Sequence, residues 1–280
     1  MSIQRWLTTA PVDYLPVSDG DSIAAPAFYK VGASALLGAV LILTTLQNGA
    51  TLADEPTEGG YRSRPEVVEK IYGYIQVGQR DSVRAYFQSL KDAKTAARAW
   101  IDVQCDINNV RQDPCASARI GLDGVEYCLS VGEKRSAAIL LHNIVAFFQP
   151  DFSRAPDSAD LPVMLSAARR QVPLRRELGQ DAPLMWALWD LGTAELAAGN
   201  VNEALAALEE GERMAVTLGD DNAGAWCRIM MGKGKVKYLP ERRAEGERDI
   251  REAAKVIMER GEDWEREGVA QIKATVGLKD

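Results

Sequence analysis

The chain has 280 residues, a formal net charge of −7 and a sequence pI near 5.0. This acidic balance argues against a general nucleic-acid binder, which needs a basic face to release counterions from the phosphate backbone. Helix-forming residues dominate and long β-branched runs are scarce, so the composition predicts an all-α protein.

Residues 1–27 form the first predicted region, an irregular N-terminal arm. The arm contains three prolines and three aspartates, and its apolar residues follow neither a helical nor a strand period. Such a segment does not supply enough apolar surface to build a core of its own. We therefore predict that the folded part of the protein begins after it.

Residues 28–53 contain the most apolar run of the chain, VGASALLGAVLILTTL from Val31 to Leu46. A membrane helix needs about 20 apolar residues, and this run reaches that length when its flanks are included. We expect a transmembrane or signal-anchor helix, with lipid contact over residues 28–52. Two alternatives stay open, namely a signal peptide cleaved after Ala53 and a buried core helix.

The charges around this segment bear on its orientation. Arg5 and Lys30 precede it and Arg62 and Arg64 follow it, so the positive-inside rule hardly distinguishes the two topologies. Lys30 stands at the boundary and favours an N-terminus in the cytosol or matrix. The larger domain, which follows a linker at residues 54–64, would then lie in the periplasm, the lumen or an equivalent space as part of a single-pass protein.

Residues 65–149 are predicted to form helical hairpins. Their apolar residues recur at helical spacing in segments that are separated by Gly or Pro. Residues 150–162 then contain three prolines and no apolar period, which predicts a loop and the place of any internal boundary. The helices predicted before this loop are 66–77, 82–90, 96–110, 115–131 and 135–148.

Residues 163–280 contain the clearest hairpin, at residues 184–218. Its first apolar stripe ends at Gly199 and a second stripe begins at Val201, each with the period of about 3.6 residues that one buried helix face produces. Small residues recur along both stripes where two helices would pack closely. These small residues are Gly192, Ala204 and Gly211.

This hairpin resembles the tetratricopeptide repeat. The family pattern asks in order for a large residue, Leu-Gly, a turn Gly, an Ala, a large apolar residue and a small one. The matching residues are Leu188, Leu191, Gly192, Gly199, Ala204, Leu208 and Gly211. Glu195 departs from the pattern, because an aromatic residue is usual there, and Val216 stands where the terminal Pro often falls. The resemblance implies stacked helical hairpins and a habit of binding proteins, but it names no ligand.

A longer register surrounds this hairpin. Residues 178–181 are echoed 40 residues later at 218–221, and again 42 residues beyond that at 260–263. A period near forty with two helices per repeat indicates an α-solenoid, similar to the long-repeat variety of the family. The remaining predicted helices are 163–178, which Pro173 should kink or break, 223–238, 241–259 after a turn at Pro240, and a capping helix at 264–276.

The cysteines and the single histidine offer little support for a metal centre. No C-x-x-C pair occurs, and we expect neither a zinc site nor a cofactor. The spacing leaves open whether Cys105 and Cys115 form a disulfide or all the cysteines are buried thiols. The cysteines are Cys105, Cys115, Cys128 and Cys227.

Other patterns that suggest chemistry have simpler structural readings. His142 lies in the apolar segment AAILLHNIVAFF, where a core histidine is expected rather than a general base. Residues 232–235, Gly-Lys-Gly-Lys, have the composition of a phosphate loop, but both flanks are predicted to be helical. Glu209, Glu210 and Glu212 are expected to lie on a solvated helix face. We therefore predict that the protein is not an enzyme.

Binding has better support than catalysis. Stacked hairpins leave a concave surface lined by the first helix of each repeat, and Trp and Arg are enriched at interface hot spots. The candidate partner-binding residues are Trp186, Trp189, Trp226, Arg228 and Lys235. The alternative is that the tryptophans fill gaps between helices. Four arginines form a further basic set, namely Arg169, Arg170, Arg175 and Arg176. This set could bind lipid headgroups or an acidic partner, or it could simply form a solvated helix face.

Together these patterns predict a non-catalytic, membrane-anchored helical-repeat scaffold or accessory subunit. Its partners would be proteins, most directly the other subunits of a membrane-associated complex, and not nucleic acid. The first alternative is a soluble or exported peptide-binding adaptor or co-chaperone. The second is an enzyme of unfamiliar type built on helices.

Overall fold

The computed structural model describes residues 65–149 and 156–278, and this part of the chain contains eleven α-helices, one 3-10 turn and no strand. The all-α prediction is confirmed for these residues. The predicted arm, apolar helix and linker at residues 1–64 lie outside them. The helices are α1 (Pro65–Gln76), α2 (Arg80–Gln88), α3 (Ala93–Arg111), α4 (Pro114–Ser130), α5 (Lys134–Phe147), α6 (Asp160–Glu177), α7 (Asp181–Ala197), α8 (Val201–Leu218), α9 (Asp221–Tyr238), α10 (Arg243–Arg260) and α11 (Asp263–Thr275).

Local sequence signals set many of the helix ends. Asp92, Asp113 and Asp220 precede α3, α4 and α9, and each side chain accepts a hydrogen bond from the backbone N–H three residues later, at 2.8, 2.9 and 2.9 Å. Gly199 and Gly219 follow α7 and α8 in the left-handed conformation, with φ of +80° and +70°. Pro173 lies inside α6, which continues through it to Glu177, so the predicted break does not occur.

Successive helices pack against one another as a solenoid-like stack. Each helix from α3 to α10 contacts the next one along the chain. In addition, α3 contacts α5, α5 contacts α7 and α7 contacts α9, whereas the even-numbered helices of the described chain lack contacts of comparable extent. The odd-numbered helices therefore line the side on which successive repeats come closest. We call the side formed by α3, α5, α7 and α9 the inner face.

Side-chain hydrogen bonds connect the successive hairpins. They join residues of neighbouring hairpins that lie 39 to 44 positions apart. Such pairs run along the described chain from its first hairpin to its last, which agrees with the period near forty expected from the sequence. The pairs are Tyr72–Asp113, Gln104–Asn143, Gln149–Thr193, Leu196–Tyr238 and Asn222–Glu265.

The small residues of the central hairpin lie at helix–helix contacts, as predicted. A Cβ atom added to Gly192 would overlap the side chain of Leu208 on α8, and one added to Gly211 would lie 3.1 Å from the sulfur of Cys227 on α9. Ala204 is fully buried. These positions let the backbones of α7, α8 and α9 approach closely.

The described residues also bear on the disulfide and on membrane-spanning helices. All four cysteines are free thiols, so no Cys105–Cys115 disulfide is formed. Within residues 65–149 and 156–278, no helix combines the length and the hydrophobicity that crossing a bilayer requires. The internal boundary at residues 150–162 stays a prediction.

Candidate functional site

The inner face contains a small pocket between α7 and α9. Its volume is about 50 Å³. Its floor is apolar and buried, and its rim includes the exposed Lys237 and the half-buried Tyr238. The residues that line it are Thr193, Leu196 and Ala197 of α7 and Met230, Lys233, Gly234, Lys237 and Tyr238 of α9.

Glycines explain how α9 approaches both of its neighbours at this point. A Cβ atom on Gly234 would lie 2.8 Å from a methyl group of Leu196 on α7, and one on Gly232 would lie 2.7 Å from the carbonyl oxygen of Gly246 on α10. Residues 232–235 lie within α9 and are helical, so they form no phosphate loop. Their glycines serve close packing on opposite sides of one helix.

The three lysines of α9 at positions 233, 235 and 237 have different surroundings. Lys235 is buried and its ammonium group donates to Glu245 and Asp249 of α10, at 2.8 and 2.6 Å. These carboxylates raise the pKa of Lys235, although burial acts in the opposite direction as the largest single effect. Lys233, which is also buried, and the exposed Lys237 line the pocket, and the Lys237 Nζ atom lies 4.9 Å from the ring centre of Tyr238.

A polar chain joins α5 to α7 on the same face. The Nδ1 atom of His142 lies 2.7 Å from Oδ2 of Asp190, whose residue is 1% exposed. The Thr193 hydroxyl donates to the Asp190 carbonyl at 2.9 Å and accepts from the Gln149 amide at 2.9 Å. Thr193 therefore connects this chain to the wall of the pocket. His142 thus contacts a buried carboxylate of the next repeat, and the periodicity of the sequence did not indicate this contact.

Burial is the main influence on several titratable groups elsewhere in the described chain. Burial raises the pKa of the Cys105, Cys128 and Cys227 thiols to about 12, so these sulfurs stay protonated and are weak nucleophiles at neutral pH. On α3, burial raises the pKa of Asp102 to about 7 despite the neighbouring Arg98. In residues 65–149 and 156–278 no three His, Cys, Asp or Glu side chains converge in a way that would hold a metal ion.

The five candidate partner-binding residues do not share one surface. The ring of Trp189 meets those of Trp186 and Trp226 edge to face, with centroids 6.0 and 6.5 Å away. Trp189 and Trp226 are only 3% and 2% exposed, so these two fill the core between α7 and α9, as the alternative reading supposed. Arg228 is exposed and pairs with Glu212 of α8, and Lys235 is held by α10. Their role in partner binding stays a prediction.

The predicted basic set on α6 is largely engaged by carboxylates and amides. Arg169 donates to both oxygens of the buried Glu195 at 2.7 and 3.0 Å. The remaining contacts are Arg170 with Glu126, Arg176 with Glu210 and Arg175 with Gln180. These contacts reduce the charge that the set offers to lipid or to an acidic partner.

The residues that line the pocket are not among the candidates predicted from the sequence. Lys233 and Lys237 lie 40 positions beyond Thr193 and Ala197, so the register that revealed the repeat also places these four residues at equivalent points of α7 and α9. The register relates these positions to one another, but only the packing of α7 against α9 shows that they line a pocket. Neither a family model nor a curated protein matches the sequence.

Proposed function

We propose that the protein is a non-catalytic helical-repeat scaffold that binds a protein partner through its inner face. The observation that carries this proposal is the pocket between α7 and α9, where an apolar floor meets a rim with the exposed Lys237 on the side lined by the odd-numbered helices. Recognition sites in proteins commonly combine apolar walls with a few placed polar groups. The stack supplies a rigid frame for such a site.

The membrane part of the proposal rests on residues 28–53. Their apolar composition supports an anchor that holds the helical stack beside a bilayer, as an accessory subunit of a membrane-associated complex. An exported or soluble peptide-binding adaptor uses the same pocket without the anchor. The two proposals therefore share the inner face and differ in how the N-terminal segment is used.

Site-directed photo-crosslinking tests the inner face in the full-length protein. A photoreactive residue replaces Lys237 at the pocket rim or, as the matched control, the exposed Lys255 on α10. We expect a discrete crosslinked adduct from position 237 and none from position 255, with the partner then identified by mass spectrometry. Equal adducts from both positions, or adducts from 255 alone, would contradict binding through the inner face.

Washing membranes with alkaline carbonate separates the two ways of using residues 28–53. An anchored scaffold stays in the membrane pellet with its crosslinked partner, because a spanning helix resists extraction. Release of the protein into the supernatant favours the soluble or exported adaptor. A variant that lacks residues 28–53 is the control, and it should be released in either case.

A further inference from the structure

We propose that the protein binds the phosphate of an anionic phospholipid headgroup at a surface between the α1–α2 turn and α4. We call this the arginine surface, and its residues are Val77, Arg80, Arg84 and Arg119. The inference rests on the proposed function, because it adds a headgroup contact to the anchor proposed at residues 28–53. An excess of arginine over carboxylate, an exposed apolar residue and a short tether carry it.

One buried carboxylate orders two exposed arginines of this surface. Arg80 donates from Nε and Nη2 to the two oxygens of Asp123 on α4, at 3.0 and 2.5 Å, and the Nη2 atom of Arg84 donates to the same carboxylate at 3.1 Å. The Asp123 side chain is 7% exposed, whereas those of Arg80 and Arg84 are 65% and 46% exposed. A guanidinium has five N–H donors, so both arginines keep donors that a ligand can use.

Arg119 adds a third cation to the same side of α4. It lies four positions before Asp123, and residues at this spacing share one face of a helix. The residue is exposed, and its side chain forms no hydrogen bond or ion pair within the part of the chain that the structure describes. Arg119 therefore keeps its whole guanidinium fork for a ligand.

The carboxylates around this surface do not neutralise it. Hydrogen bonding to Asp123 raises the pKa of Arg80, and the charge of Asp81 on α2 adds a smaller effect in the same direction. Glu126, three positions beyond Asp123 on α4, is paired with Arg170 of α6 at 2.7 Å. Three arginines therefore face two carboxylates, and the remaining positive charge favours an anion. Among anions, phosphate has the oxygen geometry that arginine forks match.

An exposed apolar side chain beside the arginines favours a lipid over a free phosphate. Val77 is 68% exposed and lies in the turn that follows α1, three positions before Arg80. Gln76 donates to Asp113 at 3.3 Å, and this contact places the turn next to the start of α4, the end of that helix nearer to Arg119. The Asp113 carboxylate caps α4, so the helix N-terminus partly offsets its charge. Basic side chains that flank an apolar one suit the boundary between headgroups and acyl chains.

The length of the chain keeps the arginine surface within reach of a bilayer in which residues 28–53 are anchored. The linker at residues 54–64 spans at most about 40 Å when fully extended, and α1 adds roughly 18 Å between Pro65 and the turn. Basic clusters close to a membrane segment are attracted by anionic lipid. Because the tether makes the contact intramolecular in effect, individually weak arginine contacts suffice.

Photo-crosslinking of the full-length protein in reconstituted vesicles tests the inference. A photoreactive residue replaces Val77 or, as the matched control, the 74% exposed Val216 of α8. The vesicles contain phosphatidylcholine alone or equal parts of phosphatidylcholine and phosphatidylglycerol, and mass spectrometry quantifies the total lipid adduct. We expect the adduct from position 77 to be at least five-fold higher in the mixed vesicles, and the adduct from position 216 to be the same in both.

Arginine variants locate the contact. The double change Arg84→Gln and Arg119→Gln should lower the adduct from position 77 in the mixed vesicles at least three-fold, while Arg80 keeps its own ion pair. Arg213→Gln removes an exposed arginine of α8 and should leave the adduct unchanged. Circular dichroism verifies the fold of each variant. If the double variant does not fold, Arg119→Gln alone decides the result, because its side chain has no partner among the described residues.

Two salts separate a lipid headgroup from free phosphate as the ligand. Sodium chloride and inorganic phosphate at equal ionic strength should lower the adduct from position 77 equally, because both then act by screening alone. A stronger loss in inorganic phosphate would assign the arginine surface to the free ion and overturn the lipid contact.

The inference is also overturned if the adduct from position 77 does not depend on phosphatidylglycerol, if position 216 shows the same dependence, or if the arginine variants crosslink like the original chain. Washing the same vesicles with alkaline carbonate separates this failure from a failure of the anchor. Protein that resists carbonate but shows no dependence on the acidic lipid leaves the proposed function intact. A dependence on the acidic lipid in protein that carbonate releases would support the lipid contact and contradict the anchor.

Discussion

The two ends of the helical stack are built in different ways. From α1 to α6 the core is filled by large side chains, with the rings of Phe87 and Trp100 stacked 3.9 Å apart and both residues fully buried. In this region the nearest atoms to a Cβ atom added at Gly124 would be side-chain atoms of Leu140 and Trp100, whereas between α9 and α10 a Cβ atom on Gly246 would lie 2.6 Å from the carbonyl oxygen of Gly232. Large buried rings such as that of Trp226 also occur from α7 to α11, so the second region is distinguished by the close approach of two backbones.

Buried charge differs between the regions as well. In the second region, the 4% exposed Glu265 accepts hydrogen bonds from Asn222, Trp226 and the backbone of Glu262, at 2.5, 2.9 and 2.8 Å. In the first region, Asp102 of α3 is buried beside Arg98 and has a pKa raised to about 7. We infer that the first region should be sensitive to lost volume and to pH, and the second to added volume.

Removal of the largest buried ring should have the largest effect on the first region. We expect Trp100→Ala to lower the free energy of unfolding by about 3–5 kcal/mol, because it deletes a fully buried aromatic side chain and leaves a cavity. Urea denaturation followed by circular dichroism measures the change. Trp264→Ala at the half-buried start of α11 is the matched control and should cost less than half as much. Equal costs would show that the burial of the Trp100 ring does not determine the loss of stability.

Addition of a single methyl group should have the next largest effect, in the second region. We expect Gly246→Ala to destabilise the protein by about 1–3 kcal/mol, because the nearest atom is a backbone oxygen and has no rotamer by which to move away. Gly73→Ala is the control, since nothing lies within 4 Å of the added atom. It should stabilise α1 by up to about 1 kcal/mol through helix propensity alone. Chemical denaturation compares the two variants, and a stabilising Gly246→Ala would show that α9 and α10 separate freely.

Much of this contrast was visible in the sequence, but only for the second region. The small residues Gly192, Ala204 and Gly211 on the two apolar stripes predicted close helix contacts, and the structure confirms them. The period of the first region also predicted its helices. It did not predict how they pair, because Phe87 and Trp100 come from different helices and follow no repeat.

The helical periodicity of the sequence did not predict which polar or aromatic side chains are exposed on the inner face. Trp189 and Lys235 read as exposed candidates, yet both are buried by neighbouring helices. Lys233, two positions from Lys235 and therefore on another side of α9, lines the pocket instead. Helical spacing defines faces relative to one another, and only tertiary packing determines which face becomes a site.

The smallest expected effect concerns Asp102, and it depends on pH. The ordinary pKa of this carboxyl is 3.8 and burial in the fold raises it to about 7. Below pH 4 both the folded and the unfolded chain are protonated at this position. As pH rises from 4 to 7 the unfolded chain loses its proton first, so ionisation progressively favours unfolding, and the penalty is complete above pH 7.

Asp102→Asn removes this penalty because the amide is neutral at every pH. The full pKa difference corresponds to about 4 kcal/mol, and the loss of the ion pair with Arg98 offsets part of it. We expect the variant to be more stable than the original chain by about 1–2 kcal/mol at pH 8, with the gain vanishing near pH 4. Urea denaturation at a series of pH values measures this difference.

Asp92→Asn is the control for that pH series. Hydrogen bonds from Thr95 lower the pKa of Asp92, so its charge stabilises the fold above the ordinary pKa and this contribution is lost as pH falls through the lowered value. The control should therefore show no gain at pH 8. A gain of similar size in both variants would mean that the effect reflects the net charge of −7 rather than the burial of Asp102. In that case buried charge would no longer distinguish the first region of the stack from the second.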